Sequence, residues 1–560
     1  MAEVISVGNQ SFKSIREMGA FYIDKTKFIK EWWESGDIVT LITRPRRFGK
    51  TLNLSMTECF FSKEYAGKSS LFEGLDIWNN TEYQNLQGKF PVLFISFAGI
   101  KADNYKTARE GIINIIIDLY AKYSFLFKSK EINIKEREYF GIVNSGMSDI
   151  EIAMSLNRLS LCMSRCYGKK VIILLDEYDT PLQEAYLYGY WDKMVLLVRS
   201  LFNYTFKTNP YLERGLVTGI TRISKESVFS DLNNIVVITT TSHQYTECFG
   251  FTEEEVFNSL EKRGLSGWKE KVKNWYDGFA FGGKKDIYNP WSVTSFLKEQ
   301  KLKTYWANTS SNSLAGQLVK EGTQRLKTAF EDLLDGKQVL VEIDEEIEFN
   351  QLGENDMAVW SLLLAAGYLK VDKEPENEED DIYGLSFTNY EVMKMFHKII
   401  KGWFSQKDAG YNDFVKSLVD GDIGYMNQFM NEVSERMFST FDTGNKPSGK
   451  THPERFYHGF VLGLIVDLAG QYHITSNRES GFGRYDVMLE PLNGQLPAII
   501  MEFKVFNSAK EKSLQETVEN ALKQIKEKEY NTEFISRGIS EERIHHYGFA
   551  FEGKKVLIGN

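Results

Sequence analysis

An α/β architecture with more than one domain is what this sequence predicts, and three observations predict it. Apolar runs of strand length alternate with helical-period segments across residues 38–240, the pattern of a parallel sheet covered on both faces. A second group of strand-like runs near residues 485–505 carries acids and a lysine on an otherwise apolar strand. Between the two groups, residues 250–400 read as mainly helical. A chain of 560 residues has room for roughly two to four domains.

Ile38–Ile42 is a short apolar run, and Thr43–Phe48 is a basic loop containing Pro45. Gly49-Lys50-Thr51 then opens a segment with Leu52, Met56, Cys59 and Phe60 at helical spacing. A strand feeding a helix through Gly-Lys-Thr has the chemistry of a phosphate-binding loop. Free backbone N–H groups at the helix start face an anion, Lys50 reaches the β/γ-phosphates, and the Thr51 hydroxyl holds Mg2+. The usual pattern has glycine five residues before Gly49, and Arg44 stands there. The loop is therefore expected to be stiff, with Pro45 inside it and Arg44, Arg46 and Arg47 around it. Taken alone, the segment also fits an ordinary loop with a helix cap.

Upstream, FYIDKTKFIKEWW suggests a strand turning into an amphipathic helix, with Phe21, Ile23, Phe28 and Trp32 inward. Asp24, Lys25 and Thr26 either cap that helix or contact a nucleotide. Downstream, Phe90–Phe97 is a buried-type strand and Tyr105–Tyr123 a helix. Val171–Leu175 is a continuous apolar strand closed by Asp176-Glu177. An apolar strand ending in two acids is what a nucleoside triphosphatase needs opposite its phosphate loop. Asp176 would hold the Mg2+ shell, and Glu177 would orient or deprotonate the attacking water. The bland alternative is a strand followed by an acidic helix start, with Asp179 as a cap. Leu216–Ile220 and Ile235–Thr240 are two more strands. Ligands sit beyond the carboxyl ends of parallel strands, which makes Thr221 and Arg222 candidate γ-phosphate sensors beside Thr218. Arg222 serves a structural ion pair equally well.

The net charge of −10 argues against a surface coated for nucleic acid, and leaves room for a local basic site. No apolar run approaches the about 18–20 residues of a membrane span. The N-terminus lacks a charged-then-apolar signal pattern. The chain has four cysteines; Cys162 and Cys166 lie one helical turn apart, with no second pair to complete a zinc site. Reduced thiols of a cytoplasmic protein fit best. Gly282-Gly283 and Asn289-Pro290 read as turns between helices, residues 360–371 as a buried helix running into a strand, and Lys373–Asp381 as an acidic solvated loop or hairpin tip.

The C-terminal part carries a second constellation. Tyr485–Leu489 reads as a strand that places Asp486 on one face, and Ala498–Val505 as a second strand, apolar except for Glu502 and Lys504. Residues two apart on a strand share a face, so Glu502 and Lys504 do. Two charges on a core-like strand are costly unless a metal or partner offsets them. A hairpin that brings Asp486 beside Glu502 makes an oxygen-ligand pocket suited to Mg2+ or Mn2+, with Lys504 placed to position water or stabilise a phosphate. Glu454, ahead of the helical pattern Phe456, Phe460, Leu464, could reach the same metal, with His458 one turn on. The competing reading is an Asp486–Lys504 ion pair on an ordinary hairpin. Ser513–Tyr530 is a helix with a Ser513/Glu516 capping box. Gln524 beside its apolar stripe either contacts a DNA backbone or is a plain surface residue. The last strand is expected at His546–Phe551. Residues 401–560 hold slightly more acid than base, so any nucleic-acid face must be local, from Lys504, Lys510, Lys512, Lys523 and Lys526.

YIDKT, RPRRFGKT, LLDEYDTPL, TGITRIS, WYDGF with YNPWS, and GRYD…MEFK stand in this order along nearly the whole chain. In this the chain resembles the bacterial AAA-ATPase-like proteins that carry a C-terminal PD-(D/E)XK nuclease-superfamily domain. The resemblance implies a P-loop parallel-sheet ATPase core over residues 1–245, a helical or winged-helix-like middle over 246–405, and a restriction-endonuclease-like α/β domain over 406–560. Lys50, Thr51, Asp176 and Glu177 then match an ATP·Mg2+ site, with Arg47, Gly49, Thr221 and Arg222 as further cofactor-binding candidates. Asp486, Glu502 and Lys504 match the nuclease site, with Glu454 the helix acid. Arg44 agrees with the family's RPRRFGK form.

The leading expectation is an ATP-controlled, Mg2+- or Mn2+-dependent nuclease acting on DNA. One rival is a nucleotide-dependent switch whose C-terminal domain binds nucleic acid or a protein partner without cutting. Another is an ATPase that does mechanical work on DNA. P-loop regulators often assemble so that one subunit's arginine reaches another's ATP, and Arg222 or the Arg44–Arg47 cluster could play that part in a homo-oligomer.

Overall fold

Five parallel strands organise the N-terminal part: β1 Val39–Thr43, β2 Val92–Ser96, β3 Val171–Asp176, β4 Leu212–Gly219 and β5 Ile235–Ile238. They lie in the order β2-β3-β4-β1-β5. The computed structural model describes the chain except residues 1–2, 222–228, 230–231, 307–314, 317, 320–321, 335, 345–351, 353–354, 374–381, 406–409, 438–460, 462–464, 466–467, 469–470, 477–478, 481–482, 485, 493–495 and 554. Arg222, Glu454, His458 and most of the acidic run after Lys373 lie outside the described residues.

The strands form where the apolar runs predicted them. β1 and β3 are buried at every position, as a central strand flanked by helices on both faces must be. The helices Lys50–Phe61, Tyr105–Lys122 and Asp149–Tyr167 connect or cover them. Phe28, Trp32, Phe60, Phe61 and Phe72 join Ile42, Ile172, Leu174 and Leu216 in one core. The expected strand at Phe21–Ile23 is absent; these residues are extended without a ladder and lead into the helix Lys27–Ser35. Asp24 and Thr26 act structurally. Asp24 accepts from the Thr26 N–H (2.8 Å) and hydroxyl (2.7 Å) and from the Asp76 N–H (2.7 Å), while the Lys25 ammonium pairs with Glu255 at 2.7 Å.

The chain divides into two compact units, residues 1–310 with 340–392, and residues 311–339 with 393–560. In the first unit the middle is helical but carries more β-structure than its sequence suggested. β6 Phe251–Thr252, β7 Phe279–Phe281 and β8 Lys284–Tyr288 form an antiparallel sheet in the order β6-β8-β7. Gly282-Gly283, both at positive φ, therefore turn a β-hairpin rather than join two helices. Asn289 caps the helix Pro290–Glu299 by accepting from the Trp291 and Ser292 N–H groups at 2.9 and 3.1 Å. A further sheet, β10-β11-β9, is built from β9 Val339–Glu342, β10 Leu369–Lys373 and β11 Ile382–Phe387, so residues 301–400 are not helical throughout.

Around the hairpin, Glu253, Asp277 and Asp286 gather about one ammonium, that of Lys273, which sits 3.2 Å from Asp286 and 3.7 Å from Asp277 and also bonds Glu253. Burial pushes the Asp277 carboxyl up from 3.8 to about 7, while hydrogen bonding from Lys273 holds Asp286 down. An acid whose pKa is raised by folding stabilises the fold below its unfolded value. That contribution is lost as pH rises through the folded value. Asp277→Asn, which cannot ionise, should therefore gain on wild type by up to roughly 3 kcal/mol between pH 5 and pH 8. Urea midpoints at the two pH values check this.

In the second unit, β12 Tyr472–Ser476, β15 Val487–Pro491, β16 Ala498–Val505, β17 Ile544–Glu552 and β18 Lys555–Gly559 form one mixed sheet in that order. A two-residue ladder, β13 Glu479–Ser480 with β14 Gly483–Arg484, precedes β15. β15 pairs antiparallel with β16, and β16 parallel with β17. Alternation assigns the faces: Ile499, Met501 and Phe503 pack with Phe414, Leu418, Met426 and Met430, whereas Ala498 and Ile500 pack with Ile525, Tyr530 and Phe534. β18 is a strand the sequence reading missed, and β15 starts one residue after Asp486. The helix Leu514–Glu527 is capped by Ser513 accepting from the Glu516 N–H (3.3 Å). The expected box is not reciprocal: the Glu516 carboxylate turns to the Lys512 N–H at 2.7 Å. No helix among the described residues is long and apolar enough to cross a membrane.

Candidate nucleotide and nuclease sites

β1 delivers the chain to a loop, residues 44–49, whose last residue starts the twelve-residue helix Lys50–Phe61. Gly49 takes φ +81, and a Cβ built there would meet nothing within 4 Å. Its glycine is required by conformation, and open space faces it. Arg47 also sits at positive φ, 65°, as does Glu177 at 53°. Non-glycine residues pay strain there, and such strain concentrates at functional sites.

Lys50 is buried and folds back on the loop, donating to the Arg44 and Pro45 carbonyls at 2.9 and 3.0 Å. Glu177 Oε1 lies 3.9 Å from the same ammonium. The Thr51 hydroxyl donates to Asp176 Oδ2 at 2.8 Å, and the Thr218 hydroxyl to Oδ1 at 2.7 Å. Pairing of β1 and β3 through β4 is what brings the three together. Burial, then the charge of Glu177, raises the Asp176 pKa, while the two hydroxyls oppose that. A buried carboxylate with two hydroxyl donors and a lysine close by fits an Mg2+-nucleotide.

Arg44 is the departure from the usual loop, and its side chain leaves the phosphate side altogether. It is fully buried, donates to the carbonyls of Thr43 (3.1 Å), Thr239 and Gln244 (3.3 Å), and lies 4.5 Å over the Phe281 ring. Burial lowers its pKa to about 9. Carbonyl dipoles and an aromatic face, rather than an acid, are what hold this cation.

Asp179 does not cap the following helix with its side chain. Its Oδ2 accepts from the Ile220 N–H (2.9 Å), the Thr221 N–H and hydroxyl (both 3.0 Å) and the Gln183 amide (2.9 Å). Thr221 is thus brought close to the acid pair with its hydroxyl committed to Asp179. The Tyr178 hydroxyl donates to the Thr221 carbonyl at 2.8 Å, so the DEYDT segment locks the end of β4.

In the second unit Asp486 stands at the bend before β15, and its Oδ2 accepts the Phe503 N–H of β16 at 2.8 Å. That bond carries Asp486 across the hairpin to the strand bearing Glu502. Glu502 is 1 % exposed, and the Lys504 ammonium meets its Oε1 at 3.0 Å, as their shared face required. Gln524, read as a surface or DNA-contacting residue, instead donates its amide to the same Glu502 oxygen and lies 3.4 Å from the Tyr530 hydroxyl. The helix stripe placed Gln524 only beside the apolar face; tertiary packing shows which carboxylate it meets. Beyond Lys504, Glu511 ties down the next turn through the Asn507 N–H (3.1 Å), the Thr517 hydroxyl (2.9 Å) and the Asn520 amide (2.7 Å).

The first site closes a parallel-sheet domain with a Gly-Lys-Thr loop opposite an acid pair, and the second sets two carboxylates and a lysine on a mixed sheet. Residues 6–229 match the family model described as "Predicted AAA-ATPase", and residues 452–560 match the PD-(D/E)XK nuclease superfamily. The chain thus joins an AAA-ATPase-like domain to a PD-(D/E)XK nuclease-superfamily domain. It is 25% identical over 554 residues to a protein of Azotobacter chroococcum mcd 1 described as "Uncharacterized protein in vnfD 5'region", covering 98% of this chain and 96% of that one. The two domains point to nucleotide-dependent and nuclease-type hydrolytic roles.

Proposed function

We propose that this chain binds and hydrolyses ATP at its N-terminal site, and that its nucleotide state controls a Mg2+- or Mn2+-dependent DNA endonuclease at its C-terminal site. The observation that carries the reading is Glu502. It is almost wholly buried on an apolar strand, with Lys504 and Gln524 both on one of its oxygens. A carboxylate buried on an apolar strand is costly unless cations offset it, and Lys504 together with a divalent ion would do so. Its neighbour across the hairpin is Asp486, and two carboxylates form the oxygen donor set that Mg2+ and Mn2+ take. When bound, the divalent ion supplies Lewis acidity at the phosphodiester and makes water a better nucleophile. Lys504 orients that water or stabilises charge on the phosphate. Gln524 holds the Glu502 carboxylate in one orientation. Glu454 remains the candidate for a further acid ligand.

At the N-terminal site, Thr51 and Asp176 hold the nucleotide's Mg2+ and Lys50 exchanges its loop carbonyls for the β/γ-phosphates. Arg47 and Gly49 present backbone N–H groups, and Glu177 takes the proton of the attacking water. Thr221 and Arg222 are the candidates to sense the γ-phosphate. The division into residues 1–245, 246–405 and 406–560 belongs to the same proposal. So does a homo-oligomer in which an arginine reaches a neighbour's ATP. The burial of Arg44 and the stacking of Arg47 on Trp291 leave Arg46 and Arg222 for that part.

Gln524→Ala should lower metal affinity or cleavage by about 10- to 100-fold, the usual cost of losing a residue that orients a metal ligand. Calorimetric titration with Mn2+ measures it. The whole reading is tested by incubating the full chain with supercoiled plasmid and single-stranded DNA in Mg2+ or Mn2+, with and without ATP. Cleavage that changes with ATP is expected. Cleavage indifferent to ATP removes the control. No cleavage of either substrate favours the nucleotide-dependent switch, a reading supported by the slight acid excess of residues 401–560.

A further inference from the structure

We infer that Asn289, Trp291 and Trp306 are positioning residues of the nucleotide site, holding the phosphate loop in its anion-binding shape. The inference rests on the N-terminal ATP site proposed above and extends it to residues beyond the 6–229 segment that matches the ATPase family.

The loop Arg44–Phe48 has no glycine, and every one of its residues is held from outside. Arg44 lies over Phe281 at 4.5 Å. Pro45 packs so closely on Gly367 that a Cβ there would fall 2.7 Å from its ring. The Arg46 carbonyl accepts from the Trp306 indole N–H at 2.9 Å and the Asn289 amide at 3.4 Å. The Arg47 guanidinium lies over the Trp291 ring at 4.2 Å. Phe48 meets Phe279 and Phe281 edge-on at 4.6 and 5.5 Å. Asn289, Trp291 and Trp306 are themselves fixed. Asn289 caps the helix that bears Trp291, and Glu391 accepts from the Ser292 hydroxyl (2.8 Å) and the Trp306 N–H (2.7 Å).

The physical consequence lies in one peptide. An anion cradle needs N–H groups turned in and carbonyls turned out. In a trans peptide the carbonyl of one residue and the N–H of the next point opposite ways. Two donors that draw the Arg46 carbonyl outward therefore turn the Arg47 N–H the other way. Stacking on Trp291 holds Arg47 at φ 65°. Left-handed residues at Arg47 and Gly49 give the kind of backbone that gathers N–H groups into a nest for phosphate. Where other phosphate loops use glycine to adopt this shape, this one is held in it by the segment 279–306.

The test is equilibrium binding of labelled ATP with Mg2+ to the full chain, with the thermal midpoint followed in parallel. Asn289→Asp keeps the helix cap and loses the amide donor, and Trp306→Phe keeps the ring and loses the N–H. The double variant should bind ATP about tenfold more weakly or worse. Its midpoint should stay within about 2 °C of wild type. Trp291→Leu should weaken binding similarly, and Trp291→Tyr, which still stacks on Arg47, should restore it; a merely structural role does not give that pattern. If the double variant unfolds, Trp306→Phe alone carries the test. Variants that bind ATP as wild type does, while Lys50→Ala loses it, overturn the inference and leave the ATP site standing. A wild-type chain that binds no ATP overturns both.

Discussion

Asp486→Ala should abolish metal-dependent DNA cleavage and leave ATP binding unchanged. The expected loss is roughly a thousandfold or more, the rate equivalent of about 4 kcal/mol. Removing one of two carboxylates from an oxygen-ligand pocket leaves the ion without the charge that holds it. The structure adds a second role for this residue. Asp486 Oδ2 accepts the Phe503 N–H at 2.8 Å, so alanine also orphans a backbone donor of β16. Asp486→Asn separates the two roles, because its amide oxygen still accepts that bond but carries no charge. Both variants should be inactive on plasmid and single-stranded DNA, and the asparagine form should melt closer to wild type. Cleavage at the wild-type rate by either would move the chemistry away from this hairpin. The site lies in a different compact unit from the phosphate loop, so ATP affinity is the internal control.

How far the sequence could be read depended on how local each signal was. β1, β3 and β16 were legible because a buried strand needs a mainly apolar run, and Glu502 and Lys504 stood out against theirs. The β7–β8 hairpin was read as helical because its strands are short and Lys284, Lys285 and Asp286 are exposed, leaving no apolar alternation to detect. Asp179 looked like a helix cap because capping is the local use of an aspartate after a strand. Its actual partners at Ile220 and Thr221 are more than forty residues away in sequence. The partners of Gln524 and Arg44 were hidden for the same reason. Gln524 read equally as a DNA-contacting or a plain surface residue and meets Glu502, and the stiff loop around Arg44 gave no sign that its guanidinium points to the carbonyls after β5. Pattern identifies which face a residue occupies, whereas the partner it meets there is set by tertiary packing.

Lys50→Ala should weaken ATP binding by about a hundredfold, the scale of a charge-assisted bond lost to an anion. In the structure the ammonium rests on the Arg44 and Pro45 carbonyls, 2.9 and 3.0 Å away, with Glu177 at 3.9 Å. Phosphate must draw it off those acceptors, so part of its binding energy is spent on the exchange. Alanine removes the attraction and also leaves two loop carbonyls with no cation between them and the incoming phosphates. Lys50→Arg keeps the charge but is too long and planar to sit on both carbonyls, and it should rescue binding only in part. Binding of labelled ATP by the three forms measures this directly, with thermal midpoints to check the fold. The same variant decides whether the two sites communicate. If ATP alters DNA cleavage by the wild-type chain, Lys50→Ala should cleave at the nucleotide-free rate whether or not ATP is present. A Lys50→Ala chain whose binding at this site is lost yet whose cleavage still responds to ATP would place the control at some other nucleotide site. Equal cleavage by both forms, with and without ATP, would leave two independent activities on one chain.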